Sequence, residues 1–101
     1  MRIIEKHMAS LEIASLCYSV YDGEKIATKS IMSGIANYAK IRDLYDGLIY
    51  TVERGKKTIT QKYNIAELGL LEKVDELDRM VQFLRIRKQQ FENSMQSQKT
   101  R

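Results

Sequence analysis

Leu48-Ile49-Tyr50-Thr51-Val52-Glu53-Arg54-Gly55-Lys56-Lys57-Thr58-Ile59-Thr60-Gln61-Lys62-Tyr63 is the stretch on which the fold turns. Its two ends are rich in β-branched and aromatic residues, which suit a pleated strand, and its centre sets one glycine among charges. That composition predicts a β-hairpin closed by a basic tip at Arg54-Gly55-Lys56-Lys57.

Upstream, Ile4, Met8, Leu11, Ala14, Leu16, Cys17 and Val20 recur at spacings of three and four and predict a helix over residues 3–21. Asp22-Gly23 reads as its stop. A short helix follows from Glu24 to Gly34, and Tyr38, Ile41, Leu44, Tyr45 and Leu48 resume the helical period after the interruption at residues 34–37. Two short helices joined by a tight turn have helix-turn-helix spacing, and the hairpin beside them supplies a wing.

Downstream, Asn64 with Glu67 three residues on reads as a helix cap, and from there to about residue 98 only Gly69 interrupts the helical character. Leu70, Val74, Leu77, Val81, Leu84, Lys88, Phe91 and Met95 alternate at spacings of four and three, an a/d seam with Lys88 as its one polar member. A head of some sixty residues cannot cover a helix of about 50 Å, so the seam predicts pairing with a second copy. The expected fold is mainly α with a small β-hairpin: a winged helix-turn-helix domain over residues 1–63 and a coiled-coil dimerisation helix over 64–101.

Charge bears on the partner. The 101 residues carry 17 Lys and Arg against 13 Asp and Glu, a net of +4. Positive charge is concentrated in residues 1–63 and 85–101, and residues 64–84 are net acidic. A modest basic excess in two blocks favours a polyanionic partner, duplex DNA. The late cluster Arg85, Arg87, Lys88, Lys99 and Arg101 has a plainer reading: antiparallel pairing of two rods would set it near the acidic stretch Glu72 to Asp78 of the other chain.

In a helix-turn-helix the second helix enters the major groove, here residues 37–46. Asn37 is placed to pair with adenine, Tyr38 and Lys40 to reach phosphates, and Arg42 to reach guanine or a phosphate. Asn37 reads equally as a helix cap, and Tyr38 as a core or boundary residue. Arg54, Lys56 and Lys57 on the wing tip suit the DNA backbone, where each phosphate contact releases a counterion. Lys25, Thr28, Lys29 and Ser30 at the start of the middle helix add contacts at a helix N-terminus.

Other classes find little support. The single histidine, His7, and the single cysteine, Cys17, have no catalytic or metal-binding companions, and Cys17 reads as a core filler. Gly55-Lys56-Lys57-Thr58 lacks the spacing of a phosphate-binding loop. No enzyme activity, metal or cofactor is expected. With no apolar run of membrane-spanning length and no signal-peptide pattern, a cytoplasmic protein associated with the nucleoid is expected, with no membrane and no small-molecule substrate as partner.

Leu11-Glu12-Ile13, the Asp22-Gly23 turn, Ile31-Met32-Ser33-Gly34, Asn37-Tyr38, Gly47-Leu48-Ile49 and the terminal heptad helix, in that order, resemble the archaeal 10a family of DNA-binding chromatin proteins. The family's Lys-Thr-Arg before the Ile-Met pair appears here as Thr28-Lys29-Ser30. The resemblance implies a winged-helix homodimer joined by an antiparallel coiled coil, binding duplex DNA with little sequence preference. The expected function is therefore architectural DNA binding. A sequence-specific regulator on the same frame, and a coiled-coil adaptor that binds another protein, are the alternatives.

Overall fold

A computed structural model describes residues 2–34 and 37–99, with side chains through residue 95. It has three helices, α1 (Arg2–Met32), α2 (Tyr38–Lys62) and α3 (Leu71–Lys99), laid up-down-up in a bundle of 60 × 19 × 16 Å. Among the described residues there is no strand.

The β-hairpin is thus corrected, and the winged helix-turn-helix with it: residues 48–62 continue α2 without a break. The physical reason is packing. Tyr45, Val52 and Ile59 recur at helical spacing and are at most 5% exposed, so a helix buries them together. The helical penalty of a β-branched residue, at most about 0.7 kcal/mol, is small beside that burial. The hydroxyls of Thr51 and Thr60 donate to the carbonyls of Gly47 and Lys56 one turn back, so neither competes with the helix from outside. The expected wing tip is one turn of α2.

Asp22-Gly23 is corrected in the same way, because α1 passes through it to Met32. Gly23 and Gly55 are not breakers but sites of close approach. A Cβ on Gly23 would fall 2.5 Å from Leu48 Cδ2, and one on Gly55 would fall 2.6 Å from Leu16 Cδ2. Each glycine is the hole for a leucine of the other helix.

That reciprocity follows from a repeat. Leu16-Cys17-Tyr18-Ser19-Val20-Tyr21-Asp22-Gly23 matches Leu48-Ile49-Tyr50-Thr51-Val52-Glu53-Arg54-Gly55 at Leu, Tyr, Ser/Thr, Val and Gly. The match continues through Lys25 and Lys57 and through Thr28 and Thr60. Burial keeps the same offset: Ala9, Ile13, Val20 and Ala27 on α1 correspond to Ile41, Tyr45, Val52 and Ile59 on α2. α1 and α2 are two versions of one helical unit, packed antiparallel about a pseudo-two-fold axis.

The real boundaries lie elsewhere. α1 ends at Met32 and is closed by Gly34, with φ 74°, whose N–H donates to Ile31 O at 3.2 Å. α2 opens on Asn37, whose side chain accepts from the Lys40 amide at 3.3 Å. Between α2 and α3, Leu70 N–H donates to Ile65 O at 3.0 Å and Gly69 N–H to Ala66 O at 3.2 Å, with Gly69 at φ 68°. This is a Schellman closure, sealed by burial of Ile65 and Leu70. Gly69, expected to be tolerated inside one long helix, ends a turn instead.

The α3 seam faces inward. Leu70, Val74, Leu77, Val81, Leu84 and Phe91 are buried in the same core as α1 and α2, with Met95 packed against it. α3 lies mainly on α2 and leans only lightly on α1. The expected boundary near residue 63 therefore falls in a connection between two helices that share one core. Lys88, the polar member of the seam, reaches Asp46 at 2.6 Å and Glu92 at 3.9 Å.

Candidate functional site

The residues expected on DNA are distributed over two helices. Lys25, Thr28, Lys29 and Ser30 occupy the last turns of α1 rather than the start of a middle helix. The Thr28 hydroxyl donates to Glu24 at 3.4 Å, and the Ser30 carbonyl accepts from Ser33 at 3.1 Å. Asn37 is the α2 cap, Tyr38 stacks on Phe91 with ring centroids 5.7 Å apart, and the Arg42 guanidinium lies over the Tyr38 ring, 5.7 Å from its centroid. Arg42 also meets Asp43 at 3.4 Å. Lys40, Arg54 and Lys57 point outward from α2, the last two about four to five turns beyond the first. Lys56 is tied to Asp78 at 2.6 Å.

Four other cations, Lys88 among them, join helices together. Arg85 meets Glu53 at 2.8 Å, Arg87 meets Glu24 at 3.0 Å, and Lys62 meets Glu12 at 2.8 Å. The acid–base complementarity expected between two chains is thus present within one. Glu24 and Lys56 occupy equivalent positions of the repeat with opposite charge, and α3 answers each in turn, Arg87 against Glu24 and Asp78 against Lys56. A reversed α3 would meet like charges, so the pairs fix its direction.

Tyr45 sits beside Glu24 with 1% of its surface exposed. Burial first, and then the Glu24 carboxylate, push its phenol up to about 12, partly offset by Arg87. The folded state holds this proton more tightly than the unfolded chain, whose tyrosines ionise near 10. Stability is therefore unaffected below pH 10 and should fall as pH rises from there towards 12. Tyr45→Phe should flatten that alkaline decline, measured by urea unfolding at pH 8 to 12; an unchanged decline would show that Tyr45 does not carry it.

The sequence reading missed the surface that stands out most. Of the apolar stripe expected to face the core from α1, Ile4, Met8 and Leu11 are 62%, 47% and 56% exposed. The stripe continues to Tyr18 and Tyr21, 71% and 54% exposed, and is flanked on α3 by Phe83 at 47%. Tyr21 and Phe83 line one cleft between α1 and α3, floored by Cys17 and Met80 and rimmed by Glu76 and Arg79. Tyr18 and Tyr21 line its continuation with Lys73. Burial, then Glu76, raise the Cys17 thiol and Lys73 lowers it in part, so the thiol stays protonated and weakly nucleophilic at neutral pH. Cys17, expected as a core filler, is a half-buried cleft residue.

The repeat identifies what is unusual here. At equivalent exposed positions α1 carries Met8, Leu11, Ala14 and Tyr21 where α2 carries Lys40, Asp43, Asp46 and Glu53. On α2, Asp46 and Glu53 hold Lys88 and Arg85 of α3. The matching edge of α1 is apolar and borders α3 across an open cleft instead of being tied to it by ion pairs among the described residues. The signal was present in the sequence as a second row, Ile4, Leu11 and Tyr18 seven apart, on the side of the helix opposite the inner row Ala9, Ile13 and Val20.

Among the described residues, no group of three or more metal-ligating side chains gathers, and no helix is long and apolar enough to cross a membrane. Set against known proteins, the chain matches no family model, no curated protein and no solved structure.

Proposed function

We propose that this chain is a protein-interaction module, a three-helix bundle that receives an amphipathic helix of a protein partner along the outer stripe of α1 and the adjoining edge of α3. The observation that carries it is the difference between the two versions of the repeat: charged where α2 meets water or α3, apolar where α1 faces water and the cleft beside α3. Contiguous exposed apolar surface with a polar rim is the mark of an association site. Its rows follow helical spacing, and two parallel helices with a cleft between them form the seat that a further helix occupies in a four-helix bundle. Lys73, Glu76 and Arg79 at the rim suit the charged flanks of such a helix.

The test places a photo-reactive benzoylphenylalanine at position 18 or 83, or at position 57 as a control, in the full chain expressed in cells. Protein adducts should form several-fold more at 18 and 83 than at 57. Equal yields would overturn the reading. So would tight duplex DNA binding at low salt that is lost on replacing Arg54 and Lys57 with alanine and untouched by Tyr18→Glu.

A further inference from the structure

The geometry points to a second copy of this chain as the occupant of that face, packed antiparallel about a two-fold axis at Leu11; the inference rests on the interaction-module reading. Two observations support it.

First, the outer row complements itself. Ile4 and Tyr18 lie seven residues to either side of Leu11, so antiparallel apposition sets Leu11 on the partner's Leu11 and Ile4 on the partner's Tyr18. An isologous contact requires such a patch. Because α3 runs parallel to α1 and Phe83 shares a cleft with Tyr21, the same apposition carries both aromatic rings onto Ile3 and Ile4 of the partner copy. Those two side chains, 85% and 62% exposed, otherwise face water at the end of α1.

Second, the face has the size. Tyr18, Tyr21 and Phe83 alone present about 350 Å², taking about 200 Å² for each whole side chain. The exposed aliphatic side chains beside them bring the face towards the roughly 800 Å² that each partner contributes to a stable dimer.

Sedimentation of the full chain tests this directly. At micromolar concentration the chain should run at twice 11.8 kDa, and Leu11→Glu or Tyr18→Glu should weaken the dimer by roughly 100-fold while circular dichroism keeps its helical amplitude. In a Cys17→Ala background, Leu11→Cys should oxidise to a covalent dimer and Lys57→Cys should not. A wild-type monomer whose position 18 still labels another protein would overturn the second copy and leave the interaction-module reading standing. A monomer with no adducts at 18 or 83 would overturn both. A dimer indifferent to Leu11→Glu and Tyr18→Glu, or one that Leu11→Cys fails to link, would overturn this arrangement.

Discussion

Leu77→Glu should leave this chain unfolded rather than merely separated into monomers. Leu77 is 0% exposed at the centre of the core, and no cation is tied to it there. The substitution removes apolar contacts, a loss of about 2–5 kcal/mol for truncation of a buried leucine. It also buries a carboxylate with no partner, a further several kcal/mol. Together these reach the whole of the about 5–15 kcal/mol by which a domain is stable. Far-ultraviolet circular dichroism should show the helical signal largely lost at 25 °C, with no cooperative melting transition. Leu71→Glu is the matched control: Leu71 is 58% exposed, and its replacement should leave the transition in place. Folded, helical monomers of Leu77→Glu would mean that the α3 seam lies on the surface, and the bundle described above would be wrong.

That experiment also separates two readings of one sequence pattern. The a/d row from Leu70 to Met95 was legible, and it correctly specifies a helix with one long apolar seam. Heptad spacing states that the seam is covered and says nothing about what covers it. Here the cover is α2, and α2 was hidden because Ile49, Thr51, Val52, Thr58, Ile59 and Thr60 look like strand residues. Local composition pointed to a hairpin, and tertiary burial of Tyr45, Val52 and Ile59 overrode it. Glycine misled for a related reason. Gly23 and Gly55 read as a stop and a turn, yet they are positions where a leucine of the other helix packs against bare backbone. Gly69, judged harmless, has the positive φ that ends a turn.

A comparison available in the sequence would have resolved much of this. The match of residues 16–23 with 48–55 requires both segments to take one structure, and the first already read as a helix in its apolar spacing. One unit cannot sensibly be helix in the first instance and hairpin in the second. The same alignment exposes the interaction face, since Leu11 against Asp43 and Ala14 against Asp46 show which helix keeps an apolar edge. The ion pairs were legible only as a tendency: acidic and basic blocks on α3 predicted complementary partners, which the structure places on α1 and α2 rather than on a twin.

Those pairs differ sharply in what they contribute, and charge reversal should reveal it. Glu24 is 13% exposed at its side chain and faces Arg87, itself 37% exposed, beside the buried Tyr45. Glu24→Lys puts a second cation against Arg87 where little water reaches, and breaking such a pair costs about 3–5 kcal/mol. For a domain of this length that corresponds to a fall in melting temperature of at least about 12 °C. The equivalent reversal in the other half of the repeat, Lys56→Glu, sets two acids together at side chains 34% and 54% exposed, and water screens them. Its cost should be about 1 kcal/mol or less. If the loss at position 24 comes from charge and not from shape, Glu24→Lys combined with Arg87→Glu should recover most of it, because the pair is restored with its sign inverted. The combined variant should also keep α3 in its present direction, since Lys56–Asp78, Glu53–Arg85 and Asp46–Lys88 still hold it. Equal losses for Glu24→Lys and Lys56→Glu, or no recovery on adding Arg87→Glu, would show that the Glu24–Arg87 pair does not decide how α3 is seated.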